Sequence, residues 1–264
     1  MTTEGVAPAK INLTLHVTGQ RADGYHLLDS LVVFADIGDR LWFTPAPAMG
    51  IEVTGPYANG VPTDQRNLVW QAAVCAGWTG HIRLEKNLPH GAGIGGGSSD
   101  AAAVLRAFGG TAQAADLGAD VPVCLSSAPQ RMRGIGDVLE PLGPLPQLEI
   151  VLVNPAVVVP TGPVFAALHS KENPAMPAHM PAFSSAKALC DWLALQRNDL
   201  EPPACQIAPQ IAQALEALEG ALLARMSGSG ATCFGLFEDG SEALAARIRR
   251  DHPDWWVMAG KLLS

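Results

Sequence analysis

From Ile11 to Thr18 apolar and polar residues alternate without a break: Ile11, Leu13, Leu15 and Val17 against Asn12, Thr14, His16 and Thr18. A period of two marks a strand with one face on a core. Lys10 shares the parity of Asn12, so both should point away from that core. Asp23-Gly24 reads as a turn, and apolar runs at 31–37 and 41–44 predict further strands. Helical spacing over 67–76 precedes a strand at 81–85 and a helix body at 101–108. Gly134-Ile135-Gly136-Asp137 sits inside a hairpin or strand edge at 131–142. The second half opens on a buried strand at 148–153, then a helix from Val164 with Thr161 as its cap. An exposed proline-bearing loop follows at 172–183, then helices at 185–195, 208–219 and 241–250, with an apolar strand at 233–237. Strands and helices alternate irregularly in both halves, which indicates an α+β protein of two domains. The proline-rich stretch 141–146 is the linker, dividing 1–145 from 146–264.

The strand at 81–85 leads to Gly91-Ala92-Gly93-Ile94-Gly95-Gly96-Gly97 and then Ser98-Ser99-Asp100. Glycine loses the most backbone entropy on ordering, so this density belongs where the backbone must approach something closely. Ser98 or Ser99 is the expected N-cap of the helix that follows. A loop poor in Cβ atoms, ending at a helix N-terminus, gathers free N–H groups and a positive dipole end. That is an anion site, and a phosphate chain is the obvious anion. The lysine-bearing phosphate loop requires Gly-Lys-Ser/Thr, yet no lysine follows until Lys171. Gly91, Gly93 and Gly96 meet the dinucleotide pattern G-x-G-x-x-G, with Asp116 at the usual distance, but 109–117 lacks the strand this fold needs. A merely floppy surface loop is the plain alternative.

A chain of 264 residues, 48% hydrophobic and 16% charged, is globular and long enough for one large or two small domains. Its net charge of −8, without a basic stripe, argues against nucleic acid as a main partner. Five cysteines with no C-x-x-C spacing speak against zinc or a disulfide framework and for reduced cytosolic thiols. The short polar N-terminus is no signal peptide, and no apolar run approaches a membrane span. A soluble cytoplasmic protein is expected, as monomer or homodimer.

Three segments in order carry a resemblance: Pro8-Ala9-Lys10-Ile11-Asn12-Leu13, the run from Pro89 through the glycines to Ala102, and Met226-Ser227-Gly228-Ser229-Gly230-Ala231-Thr232. Together they resemble the GHMP kinase superfamily of small-molecule kinases. Arg21-Ala22-Asp23-Gly24-Tyr25-His26 and Gly118-Ala119-Asp120-Val121-Pro122 narrow it to one branch. That branch uses ATP to phosphorylate a CDP-linked sugar alcohol, 4-diphosphocytidyl-2-C-methyl-D-erythritol, in the non-mevalonate isoprenoid route. The resemblance implies a ribosomal protein S5 domain 2-like N-terminal domain and a ferredoxin-like C-terminal domain.

It also implies roles. Asp120 would take the proton of the acceptor hydroxyl, with Lys10 beside it to hold the aspartate ionised and stabilise the alkoxide. Pro89, Gly91, Gly93, Gly95, Gly96, Gly97, Ser98 and Ser99 would cradle the ATP phosphates, the serine hydroxyls touching a Mg²⁺ ion. Tyr25 can stack on cytosine and His26 can bond its Watson–Crick edge. Asn12, Thr161, Phe165, Gly228 and Ser229 complete the substrate set. Taken singly, Asp120 reads as a turn or cap aspartate, Lys10 as a solvated strand-end lysine, Tyr25-His26 as hairpin surface and Phe165 as core. Homoserine and mevalonate kinases are rivals within the superfamily, and an inactive nucleotide-binding regulator is a rival outside catalysis.

Overall fold

The computed structural model describes residues 2–263. β1 (Thr3–Asn12) is followed by β2 (His16–Gln20) and the long β3 (His26–Pro45). Then come β4 (Gly50–Thr54), α1 (Leu68–Cys75) and β5 (Gly80–Glu85). The glycine run leads into α2 (Gly96–Phe108), and the short α3 (Ala114–Leu117) and α4 (Val121–Cys124) follow. β6 (Gln130–Gly134) and β7 (Val138–Pro141) form the expected hairpin. β8 (Glu149–Asn154), α5 (Thr161–Ala166), α6 (Ala186–Ala194), α7 (Glu201–Ile207) and α8 (Gln210–Ala217) come next. The chain closes with β9 (Leu223–Met226), β10 (Cys233–Phe237), α9 (Ser241–Asp251) and β11 (Trp256–Leu263).

Residues group into two compact units that interleave along the chain. The first comprises residues up to Lys10, Gly38–His90 and Gly95–Ser127. Here β5 lies antiparallel to the C-terminal part of β3, Arg40 opposite Glu85, and β4 runs parallel to β5. Asn67 starts α1 by accepting the Val69 N–H, the kind of side-chain cap that fixes a helix start. α1 packs on α2, and α2 on α4. Phe43 is buried in the core and the half-buried Trp78 and Phe108 pack at its edge, with Phe108 edge-on to Phe43 at 5.0 Å and stacked on Trp78 at 4.7 Å.

Ile11–Ile37, Gly91–Ile94 and the chain from Ala128 onward make the second unit. Its part of β3 pairs with β2, β6 and β11. β11 continues to β8, β8 to β10 and β10 to β9, all antiparallel. α8 and α9 pack on these strands. The core between them gathers Leu15, Val17, Val151, Val153, Ile211, Phe237, Ile248 and Val257. Among the described residues no helix is long and apolar enough to cross a membrane.

Several local expectations change. The strands expected at 31–37 and 41–44 are one strand: Gly38 stays extended because a Cβ there would lie 2.3 Å from the Ala7 carbonyl oxygen, a backbone approach only glycine allows. The alternation at 11–18 is broken at Leu13–Leu15, and its polar side is not solvated, since Lys10, Asn12, Thr14 and His16 are all buried. The helix after the glycines starts at Gly96, so neither Ser98 nor Ser99 caps it; Gly95, in the left-handed region at φ 64°, holds the N-cap position without a side-chain bond. α5 begins at Thr161 rather than Val164, and Pro160 holds the cap position, so Thr161 does not cap. The loop at 172–183 is largely exposed, as expected, and is also pinned: Arg131 grips Asp29 through two bonds of 2.8 and 2.7 Å and donates to the Pro177 and Ala178 carbonyls. Asp29 in turn accepts the Met176 N–H at 2.9 Å.

Candidate active site

In the first unit the sequence builds an uncapped helix start. Gly95 supplies no side chain, so the N–H groups of the first turn of α2 keep neither an intrahelical acceptor nor a capping one. They carry the positive end of the helix dipole. A Cβ at Gly95 would sit 3.2 Å from Lys10 Cβ, so the lysine stem runs against this turn. Lys10 Nζ donates to Asp120 Oδ2 at 2.8 Å, the lysine buried and the Asp120 side chain 40% exposed. Asp120 occupies the N-cap position of α4 yet caps nothing. Its carboxylate is turned to Lys10 instead, which removes the reading of a mere cap aspartate.

The two serines differ. Ser99 is buried, and its hydroxyl donates to the Pro8 carbonyl at 2.8 Å. Ser98 is half-buried, and its hydroxyl has no protein partner among the described residues. Of these two serines, Ser98 has the hydroxyl that no described residue engages. Pro89 is half-buried in the connection that leads to Gly91, which is exposed.

Beneath the same turn lies a cluster that pattern reading missed. Lys86 Nζ bonds Asp39 Oδ2 and, at 2.6 Å, Asp100 Oδ2. Asp39 Oδ1 also accepts the backbone N–H of Leu88 at 2.9 Å. All three side chains are buried. Burial alone would lower the lysine pKa; Asp100 and Asp39 outweigh it and raise it. Burial pushes Asp100 up to about 7, against the pull of Lys86 and helped by Asp39. A Cβ at Gly96 would come within 3.5 Å of Lys86 Nζ and 3.6 Å of Asp39 Oδ2, so the cluster supports the first turn of α2 directly. Parity was the available signal: Lys86, one residue past β5, continues the buried parity of Ile82 and Leu84, and Asp39 shares the buried side of β3 with Leu41 and Phe43.

In the second unit Gly93 and the Met226–Gly230 turn meet backbone to backbone. A Cβ at Gly93, which has φ 75°, would lie 2.5 Å from the Ser227 carbonyl oxygen, and one at Gly228 2.8 Å from that of Gly93. Ser227 Oγ donates to the Gly93 carbonyl at 3.1 Å and accepts the Asn12 N–H at 3.0 Å. Asn198, which sequence reading did not single out, holds the turn by donating to the Met226 and Gly228 carbonyls at 2.8 and 2.9 Å. Thr161 and Ser229 share a hydrogen bond of 2.9 Å.

His26 stacks on Phe165 with ring centroids 4.5 Å apart and 24° between planes. Its Nε2 is buried without a partner among the described residues. Burial, then the nearby charge of Lys171, lowers its pKa, which favours a neutral ring. Tyr25 is 60% exposed and makes no ring contact among the described residues. The unit thus brings His26 and Phe165 together and leaves the Tyr25 ring outside that pair. No group of three or more metal-binding side chains occurs among the described residues.

Residues 67–128 match the family model for the GHMP kinases N terminal domain, and 180–254 that for the GHMP kinases C terminal region. A 4-diphosphocytidyl-2-C-methyl-D-erythritol kinase of Dinoroseobacter shibae is 59% identical, covering 96% of this chain and 92% of that protein. The kinase of the same name from Paracoccus denitrificans is 56% identical, covering 97% of this chain and 95% of that protein. A crystal structure of a 4-(cytidine 5'-diphospho)-2C-methyl-D-erythritol kinase superposes with a TM-score of 0.78 at 34% identity, covering 99% of this chain and all of that one. Homoserine kinase from Cytophaga hutchinsonii, at 17% identity and a TM-score of 0.63, shares the fold. With an uncapped helix start beside a lysine–aspartate pair in place, this likeness over nearly the whole length settles the lineage: the chain belongs to the GHMP kinases and, within them, to the 4-diphosphocytidyl-2-C-methyl-D-erythritol kinases.

Proposed function

We propose that the protein transfers the γ-phosphoryl group of ATP to the 2-hydroxyl of 4-diphosphocytidyl-2-C-methyl-D-erythritol, a step of the non-mevalonate route to isoprenoid precursors. The observation that carries the chemistry is Asp120, which forgoes capping α4 to meet Lys10 at 2.8 Å. An alcohol is a poor nucleophile while it keeps its proton. Asp120 takes that proton as the oxygen bonds to the γ-phosphorus, the bond to the β-phosphate oxygen breaks, and ADP leaves. Lys10 offsets the negative charge gathering on the attacking oxygen. Gly95, Gly96, Gly97 and the uncapped N–H groups hold the phosphates, with Ser98 the hydroxyl at hand. Phosphoryl transfer asks mainly for such positioning and charge compensation.

A Mg²⁺ ion fits this donor set. Magnesium on a nucleotide keeps most of its waters and needs only one or two protein oxygens, and the Ser98 hydroxyl is uncommitted. When bound, the ion neutralises charge on the β- and γ-phosphates. Pro89, Gly91 and Gly93 belong to the same loop, and Ser99 supports it through Pro8. The reading sets the protein in the cytoplasm, where ATP is held.

For the cytidine end, the reading assigns recognition to His26 and Phe165, with Tyr25 free to turn onto a base. Asn12, Thr161, Gly228 and Ser229 are assigned to the remainder of the substrate. Phe165→Ala removes the ring under His26, and a stacked pair contributes about 0.5–1.5 kcal/mol. KM for the CDP-linked alcohol should rise about two- to tenfold while KM for ATP holds, as steady-state kinetics would show. The reading as a whole is tested by offering the purified enzyme ATP with CDP-methylerythritol, homoserine or mevalonate. Turnover of the first alone is expected. Turnover confined to the other two would replace the substrate, and ATP binding without turnover of any would favour a regulator.

A further inference from the structure

Ser30 of β3 is fully buried, and its hydroxyl donates to the Thr14 carbonyl. A carbonyl oxygen only accepts, so this bond commits the single hydroxyl proton. The lone pairs left on Ser30 Oγ meet Asn12 Nδ2 at 2.8 Å. Turning the Asn12 carboxamide over would set its oxygen against an oxygen with no proton to give. The direction of the network therefore fixes the amide, nitrogen toward Ser30 and Oδ1 away from it. Thr14 is itself anchored, its Oγ1 accepting the Leu31 N–H at 2.8 Å and donating to Met176 Sδ at 3.0 Å. The Asn12 backbone is held on Ser227.

What this arrangement presents is an acceptor. Asn12 is 1% exposed, and its Oδ1 is buried with no partner among the described residues, beside Gly228. A buried acceptor without a donor is costly unless a ligand supplies one. We propose that Ser30 is a positioning residue that locks Asn12 as a hydrogen-bond acceptor, so that the site selects a substrate bringing a hydroxyl donor to Asn12 Oδ1. A ligand offering only a carbonyl or carboxylate at that point meets oxygen with oxygen and is refused. The inference rests on the reading of the protein as an alcohol kinase and goes on to name the residue that sets the polarity of alcohol recognition.

Ser30→Ala and Ser30→Thr test it. The alanine variant frees the amide to turn, and KM for CDP-methylerythritol should rise about tenfold with KM for ATP within about twofold of wild type. Threonine keeps the hydroxyl and should restore the alcohol KM to within about threefold. An unmoved alcohol KM in Ser30→Ala, an equal rise in both KM values, or a threonine variant as weak as alanine would each overturn the proposal. An independent reading needs no variant. In the isotope-labelled wild-type protein the Asn12 side-chain amide protons should show nuclear Overhauser contacts to the Ser30 Hβ protons; contacts to Gly228 Hα instead would overturn the assignment. Failure of the kinase reading has a different signature, wild-type protein that does not turn over CDP-methylerythritol.

Discussion

Replacing Asp120 by asparagine should lower kcat by about 10²–10⁴-fold, the range over which a positioned general base contributes. The two side chains have the same shape, and an amide oxygen can still accept from Lys10 Nζ at the 2.8 Å now taken by Oδ2. The geometry of the pair survives and only the proton acceptor is lost. ATP affinity should hold within about twofold, because the uncapped N–H groups of α2 are untouched. Calorimetric titration of ATP beside steady-state turnover separates the two effects. A variant with near wild-type kcat would show that the proton leaves the alcohol by another path. Loss of both turnover and ATP binding would show that the carboxylate holds the phosphate loop in shape.

Lys86→Met should be the most damaging change to stability. It leaves Asp39 and Asp100 buried together with no cation between them. Breaking a buried pair by removing one partner typically costs about 3–5 kcal/mol, which for a chain of this size lowers the melting temperature by about 10 °C. The pH dependence has a definite sign. Asp100 has a raised folded-state pKa of about 7, so its contribution to stability is complete at acid pH and fades as pH climbs through that value. Without the lysine that pKa rises further, and the deficit should be larger at pH 8 than at pH 5. Chemical denaturation at both values reads it. A loss under about 1 kcal/mol, or a deficit that shrinks toward pH 8, would mean that the carboxylates find other partners. The change also reaches the site, since Gly96 rests on this cluster.

Elements set by local periodicity were legible. α1, β5, β10, the β6–β7 hairpin and α9 follow from spacing and turn residues within a few positions. The motif residues were legible too, since glycine density and the Gly-Ala-Asp-Val-Pro segment announce themselves in one dimension. What escaped depends on distant neighbours. Thr14 and His16 look solvent-facing by alternation, yet Met176 and Pro174 cover them, and no local rule brings those residues there. Gly38 looks like a strand end until Ala7 is known to lie against it. α7, β9 and β11 carry too short or too mixed a pattern to stand out. Gly95 defeats the rule that a serine opens a helix, and it leaves open the N–H groups that a serine would occupy and that the proposed phosphate site needs.

The position of Asp120 sets a limit on how this chain can improve. An aspartate at a helix start that turned back onto its own helix would stabilise α4 by about 1 kcal/mol. Here that gain is declined in favour of Lys10. A lineage selected for heat resistance alone would be drawn to pull the carboxylate inward, and on the proposed base role of Asp120 would lose the reaction in doing so. Laboratory evolution for thermostability should therefore find its gains elsewhere in the molecule, and helix-capping changes near α4 should surface only where activity is not screened.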